Sequence, residues 1–291
     1  MSGFDYVAPS TVEEAVAALA RHGAAARVLA GGTDLIIQQR ERRRQVGVMV
    51  DVKGIPEATS IDFTRDGGMR VGAATACAKL YSDAQVASRY PALIDSASLI
   101  GGIQIQSRAS IGGNLCNSSP AADAIPTLIA LGVTCEIVGP NGRRSVPVEQ
   151  FCTGPGQNVL QAGELLLALT FPAPAANSGA AFERFIPRNE MDIAVANAAA
   201  SVTLSADGSR FEAARIAIGA CAPTPLYVEK AGAELAGQPV GPDAIEAAAV
   251  AAREAVRPIT DMRGSVAQRH HLAGVLTTRV INKAVSRARG Q

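Results

Sequence analysis

Residues 29–35 read Leu-Ala-Gly-Gly-Thr-Asp-Leu and stand between a short apolar segment, Arg27 to Ala30, and a helical pattern from Leu35 to Arg44. This order predicts a strand that turns directly into a helix. Two glycines leave the backbone accessible, so their successive N–H groups can bind an anion, supported by the helix dipole and the Thr33 hydroxyl. A phosphate is the expected guest, although a purely structural turn has the same sequence.

A second double glycine repeats this chemistry in Ser110-Ile111-Gly112-Gly113-Asn114, and Asp123 follows thirteen residues after Ser110. Two such loops can hold one pyrophosphate from both sides. Asp123 stands near the start of a predicted helix, where it can cap the helix or bind sugar hydroxyls. Neither loop is a Gly-x-Gly-x-x-Gly or P-loop motif, which disfavours a nicotinamide-binding Rossmann fold.

Charge and hydropathy exclude several classes of partner. The 291 residues carry 27 Lys+Arg and 26 Asp+Glu, a net charge of +1, so no global field favours nucleic acid or an anionic membrane. The basic run Arg40, Arg42, Arg43 and Arg44 is interpreted as surface. Apolar runs are far shorter than the ~20 residues that span a bilayer, and no secretory signal is recognised, so the cytoplasm is the expected compartment.

Metal and nucleophile chemistry is not expected in this chain. Its five cysteines are widely spaced, unlike zinc or iron–sulfur ligands, and they are predicted to be buried reduced thiols. The three histidines match no motif, and no nucleophile elbow is present.

The pattern of elements predicts an α+β protein in three parts. Residues 1–55 form a small α/β unit, residues 56–175 a second unit with a mixed sheet, and residues 178–291 an α+β domain after a proline-containing linker. Within the second unit, Asp66-Gly67 and Asn141-Gly142 mark hairpin turns, and Thr75 to Val86 is predicted as one helix.

Four ordered segments carry a family resemblance that covers nearly the whole chain. They are LAGGTDL (29–35), SIGGNLCNSSPAAD (110–123), VEQFCTGPGQNVLQAGELLLALTFP (148–172) and RFIPRNEMDIAVANAAA (184–200). Together they resemble the FAD-binding medium subunit of molybdenum hydroxylases, the xanthine dehydrogenase and carbon monoxide dehydrogenase family. The resemblance implies a two-part FAD-binding domain of the vanillyl-alcohol-oxidase/PCMH type followed by a C-terminal domain of the medium-subunit type.

The same resemblance implies a set of FAD contacts. Residues 28–35 would wrap the pyrophosphate, the second loop would complete the clamp, Asp123 would bind the adenosine or the ribityl hydroxyls, and Ile100 and Leu166 would flank the cofactor. Arg184 stands where many members have a lysine. The implied binding residues are Val28, Leu29, Ala30, Gly31, Gly32, Thr33, Asp34, Leu35, Ile100, Ser110, Gly113, Asn114, Asp123, Leu166 and Arg184.

The resemblance also implies partners. A large subunit would hold a molybdenum–pterin centre, a small subunit would hold two 2Fe–2S clusters, and electrons would leave through FAD to an acceptor such as NAD, in a dimer of heterotrimers. Two alternatives are a self-sufficient FAD reductase of the same fold superfamily and a non-catalytic assembly subunit whose glycine loops are only turns.

Overall fold

A computed structural model describes residues 3–291. The first double glycine follows an edge strand of its first sheet. The helix α1 begins where Thr11 accepts a hydrogen bond from the Glu14 N–H and ends at Gly23, whose φ is +49°. The strands of this first part form a parallel sheet with the order β1-β3-β2, and helices connect them. The elements are β1 (Asp5–Val7), α1 (Val12–His22), β2 (Ala26–Leu29), α2 (Leu35–Arg40) and β3 (Val48–Asp51).

The helix predicted over Leu35 to Arg44 ends earlier, at Arg40. Arg42 adopts a left-handed φ of +59°, and the N–H groups of Arg43 and Arg44 both donate to the Gln38 carbonyl. A left-handed residue of this kind terminates a helix and satisfies its last carbonyl groups. Arg42, Arg43 and Arg44 therefore lie in the turn before β3, and Arg40 is the last residue of α2.

The second part has a five-stranded sheet of order β4-β5-β10-β6-β7, with a small ribbon of β8 and β9 beside it. Short helices cover one face. The elements are α3 (Pro56–Thr59), β4 (Ile61–Phe63), β5 (Met69–Gly72), α4 (Cys77–Ser82), α5 (Ala84–Arg89), α6 (Pro91–Ala97), α7 (Ile103–Gln106), α8 (Ile111–Asn117), α9 (Ala124–Ala130), β6 (Thr134–Gly139), β7 (Gly142–Pro147), β8 (Cys152–Gly154), β9 (Gln157–Asn158) and β10 (Leu165–Phe171).

Two expectations for this part need correction. The sheet is not mixed: all four strand pairings are antiparallel. Tight turns at Gly67 and Gly142, both with positive φ, join two of the pairs, β4 with β5 and β6 with β7. The helix predicted from Thr75 to Val86 is two helices. Asp83 interrupts it, since its carboxylate accepts hydrogen bonds from the N–H groups of Gln85 and Val86 and so starts α5.

The third part is an antiparallel sheet of order β11-β12-β13-β14 against which the long helix α12 packs. Small residues permit the close approach: a Cβ added at Gly179 would lie 2.2 Å from the Ala284 carbonyl oxygen. The elements are β11 (Ser178–Phe185), β12 (Ala196–Leu204), β13 (Phe211–Gly219), β14 (Leu226–Tyr227), α10 (Glu229–Leu235), α11 (Pro242–Ala255) and α12 (Val266–Ala288). The α+β class is confirmed.

Polar contacts join this third part to the second. The Asp95 carboxylate in α6 accepts hydrogen bonds from Arg287 at 2.6 and 2.9 Å and from the Phe182 N–H at 3.2 Å. Apolar packing of Phe182 against Ala130 lies beside them. Across residues 3–291, no helix combines the length and the hydrophobicity needed to cross a bilayer.

Candidate functional site

The first double glycine forms the predicted turn between β2 and α2. Gly32 has a φ of +74°, which favours glycine, and its carbonyl accepts the Ile36 N–H at 3.1 Å. Among residues 3–291, no oxygen accepts a hydrogen bond from the N–H groups of Gly32, Thr33 or Asp34. Three successive backbone donors are therefore free for a ligand, as the anion-binding interpretation of this turn requires.

Gly31 has a second role that the sequence did not indicate. A Cβ added there would lie 2.1 Å from the Arg108 carbonyl oxygen and 3.0 Å from the Ala109 Cα. The absence of a side chain thus lets the first loop press against the segment that leads into the second. The two double-glycine segments are brought together partly by this glycine-to-backbone contact.

The second double glycine is helical, which corrects the expectation of a second open loop. Ser110 caps α8, and its hydroxyl accepts a hydrogen bond from the Gly113 N–H at 3.0 Å. A Cβ at Gly112 would lie 2.3 Å from the Ala73 carbonyl oxygen, so this glycine is needed for packing. The Asn114 Oδ1 accepts the Ala124 N–H at 3.2 Å, which ties α8 to α9.

Both segments line one cavity of about 500 Å³, a size typical of ligand sites. The predicted residues on its wall are Val28, Ala30, Gly31, Gly32, Thr33, Asp34, Leu35, Ile100, Ser110, Gly113, Asn114 and Leu166. The other three predicted residues, Leu29, Asp123 and Arg184, lie behind the wall.

Asp123 and Arg184 are paired with each other in a buried cluster. Their side chains are 10% and 6% exposed and form a short ion pair, and Asn197 Nδ2 donates to Asp123 at 3.1 Å. Burial raises the pKa of Asp123, and the Arg184 and Asn197 contacts oppose that rise. The Asp123 side chain makes no capping bond to α9, so the capping interpretation is wrong.

Arg184 also reaches toward the cavity wall from its strand. Its Nη1 donates to the Leu99 carbonyl at 3.2 Å, and the next residue, Ile100, lines the cavity. Through this contact a strand of the third part fixes a segment of the wall. Arg188 and Asp192, in the loop after this strand, form an i,i+4 ion pair at 3.6 Å, and neither lines the cavity.

Two arginines that the sequence did not single out as ligands line the cavity. Arg27 and Arg44 are both on its wall, so one member of the basic run is more than plain surface. Burial and the nearby charge of Arg44 lower the pKa of Arg27. Within residues 3–291 neither forms an ion pair, whereas Glu164 on the same wall is neutralised by Arg144 at 2.7 and 2.8 Å. Against these two guanidinium groups the wall has, within the same residues, one carboxylate without an ion pair, Asp34, and the excess of positive charge favours an anionic ligand.

Lys53 supports the first loop from outside the cavity and was also missed. Its ammonium donates to the Ala30 carbonyl at 2.9 Å and to Asp51 at 2.7 Å, and Tyr6 donates to the same carboxylate at 2.5 Å. Asp51 is the last residue of β3, and because the carboxyl ends of parallel strands share one edge of a sheet, a charged residue at that end was the available signal for this group.

The chemistry of the cavity fits a pyrophosphate and does not suggest metal ligation. Free N–H groups and two guanidinium groups are the donors that phosphate oxygens accept from. In the part of the chain that the structure describes, no three metal-ligating side chains gather. All five cysteines are free thiols there, three of them buried.

Comparison with known proteins agrees with this geometry. Residues 2–174 match the family described as the FAD binding domain in molybdopterin dehydrogenase, and residues 181–284 match the carbon monoxide dehydrogenase flavoprotein C-terminal domain. The xanthine dehydrogenase FAD-binding subunit of Escherichia coli O157:H7 is 36% identical over 98% of this chain and 97% of its own length.

Carbon monoxide dehydrogenase of Hydrogenophaga pseudoflava is similar in sequence and in structure. Its medium chain is 35% identical over 98% of both chains. A solved structure of that enzyme, lacking the Mo-pyranopterin moiety of its molybdenum cofactor, matches with a TM-score of 0.93 over 98% of both chains. From its site, its two domains and these relatives, this chain belongs to the family of FAD-binding medium subunits of the xanthine and carbon monoxide dehydrogenases, which are oxidoreductases.

Proposed function

We propose that this chain is the electron exit of a heteromeric molybdenum hydroxylase. In that assembly a large subunit carries the molybdenum–pterin centre, a small subunit carries two 2Fe–2S clusters, and electrons reach an acceptor such as NAD through the FAD of this chain. When bound, FAD supplies redox chemistry in steps of one or two electrons. The assembly we propose is a dimer of heterotrimers located in the cytoplasm.

The observation that carries the proposal is the single cavity between the two double-glycine segments. The free N–H groups of Gly32, Thr33 and Asp34 would bind the pyrophosphate, with Arg27 and Arg44 adding positive charge on the same wall. Ser110, Gly113 and Asn114 would bound the cofactor on the α8 side.

The other predicted contacts are of two kinds, apolar side chains on the cavity wall and a buried ion pair away from it. Ile100 and Leu166 would flank the cofactor with apolar side chains. Asp123 and Arg184 do not line the cavity and bind each other, so they would act on the cofactor through the Leu99–Ile100 segment.

This division of labour assigns no acid–base step to the cavity wall. The described residues of the wall include no histidine, Glu164 is already paired with Arg144, and Asp34, whose pKa is raised by burial, belongs to the loop that would bind the pyrophosphate. A chain that only binds and tunes an electron carrier needs no general base, because the substrate is oxidised at the partner's metal centre.

The test is to purify the chain from its native source together with whatever binds it. We expect bound FAD, with molybdenum and iron in the copurifying subunits. Xanthine, an aldehyde, carbon monoxide or an N-heterocycle should bleach the flavin absorbance of the complex and leave that of the isolated chain unchanged. Bleaching of the isolated chain would instead support the self-sufficient reductase, and failure of the chain to bind FAD on titration would support the assembly subunit.

A further inference from the structure

Lys53 stands where two parallel strands end beside the first glycine loop. Leu29, the last residue of β2, is paired in register with Asp51, the last residue of β3. Lys53 follows in a short 3-10 turn, and its ammonium links the Asp51 carboxylate to the Ala30 carbonyl at 2.7 and 2.9 Å. It does not line the cavity.

The Asp51 carboxylate is held firmly enough to fix this ammonium. Asp51 is 7% exposed and accepts hydrogen bonds from the Lys53 N–H at 2.9 Å and from the Tyr6 hydroxyl at 2.5 Å. Burial alone would raise the pKa of Asp51, but the hydrogen bonds from Lys53 and Tyr6 hold it below its ordinary value. Near neutral pH the carboxylate is therefore ionised and its geometry is specified from three directions.

The consequence for the loop follows from the geometry of one peptide unit. The Ala30 carbonyl and the Gly31 N–H belong to the same planar group and point in opposite directions when the bond is trans. The peptide bonds of residues 3–291 are all trans. A donor that holds the Ala30 oxygen on one side therefore aims the Gly31 N–H to the other side.

We infer that Lys53 is a positioning residue for the cofactor phosphates. By holding the Ala30–Gly31 peptide, it fixes the backbone that leads into the free N–H groups of Gly32, Thr33 and Asp34 on the cavity wall. Asp51 and Tyr6 hold Lys53 in turn. The inference rests on the proposed binding of the FAD pyrophosphate by this loop.

The experiment compares Lys53→Met with Lys79→Met in the full chain. Lys79 also donates to a backbone carbonyl, that of Thr59 at 3.1 Å, but it is exposed and does not line the cavity. The dissociation constants for FAD, ADP and adenosine are measured by flavin fluorescence and by competition. We expect Lys53→Met to raise the dissociation constants for FAD and ADP by about 10-fold and to leave that for adenosine unchanged. Lys79→Met should bind all three as the unmodified chain does.

Lys53→Arg should recover part of the lost FAD and ADP affinity, since a guanidinium can still donate to the Ala30 carbonyl. If Lys53→Met does not fold, Tyr6→Phe provides the test. The Tyr6 side chain is exposed, and the change removes only its hydrogen bond to Asp51, so the affinity for ADP should fall and that for adenosine should not. An unchanged ADP affinity, or an equal loss for adenosine, would overturn the inference. Failure of the unmodified chain to bind FAD would instead overturn the proposed function.

Discussion

At the scale of single residues, glycine is required at position 31 because neighbouring backbone leaves no room for a side chain there. Its Cα faces the Arg108 carbonyl so closely that Gly31→Ala must move one of two backbones. We expect a loss of about 1–3 kcal/mol in the free energy of unfolding and a clear loss of FAD affinity. Denaturant unfolding and FAD titration measure both.

Gly241→Ala is the matched control for this change. Nothing lies within 4 Å of a Cβ added at Gly241, and its φ of −162° is ordinary extended backbone. Because Gly241 is the N-cap of α11, where alanine is less favourable, stability should fall by less than about 1 kcal/mol, and FAD affinity should stay that of the unmodified chain. If Gly31→Ala behaved like this control, the contact between the two glycine segments would not be what joins them.

The thiols supply a residue-scale prediction about pH. Burial raises the pKa of Cys77 and of Cys116 to about 12. At pH 8 only about one thiol in 10⁴ is then ionised, and since the thiolate is the reactive form, alkylation by iodoacetamide should be about 10³-fold slower than for an ordinary cysteine. Mass spectrometry after timed labelling measures this, with the unfolded chain as reference. Rapid labelling of either cysteine in the folded protein would contradict it.

At the scale of elements, two serines begin helices in the same way but in different places. Ser110 caps α8 at the cavity, and Ser265 caps α12 by accepting the Gln268 N–H at 3.1 Å. Replacing either by alanine should cost about 1 kcal/mol of stability. Only Ser110→Ala should also weaken FAD binding, because α8 carries Gly113 and Asn114 on the cavity wall. Equal FAD affinities in the two variants would argue against a role of α8 in binding.

At the scale of the whole molecule, the pair of Arg184 and Asp123 connects the third part of the chain to the second. Both side chains are almost fully buried, so Arg184→Met leaves a buried carboxylate without its partner and should cost about 3–5 kcal/mol. Arg143→Met removes a similar pair with Glu57, but those side chains are 54% and 47% exposed, and the loss should be below about 1 kcal/mol. Thermal unfolding distinguishes the two outcomes, and similar losses would contradict the assigned role of burial.

Much of the fold was predictable because its signals are local. The strand before Gly31, the hairpin turns at Gly67 and Gly142, and the start of α1 after its cap Thr11 each depend on residues within a few positions of one another. Two helix boundaries were predicted wrongly although their causes are also local, because apolar periodicity does not record backbone hydrogen bonds. The helix predicted to Arg44 ends at Arg40, and the one predicted through Asp83 is interrupted there, since bonds to the Gln38 carbonyl and to the Asp83 carboxylate compete with the regular helix bonds.

By itself the sequence determined that two glycine-rich segments exist, that the chain has no metal-ligand pattern, and that its four ordered motifs place it in a flavoprotein family. Only the tertiary structure decided that Gly31 faces Arg108, that Lys53 reaches Ala30, and that Asp123 pairs with Arg184 behind the cavity wall. Such contacts join residues distant along the chain, and their geometry depends on how sheets and helices pack. Residue type and local spacing do not predict that packing.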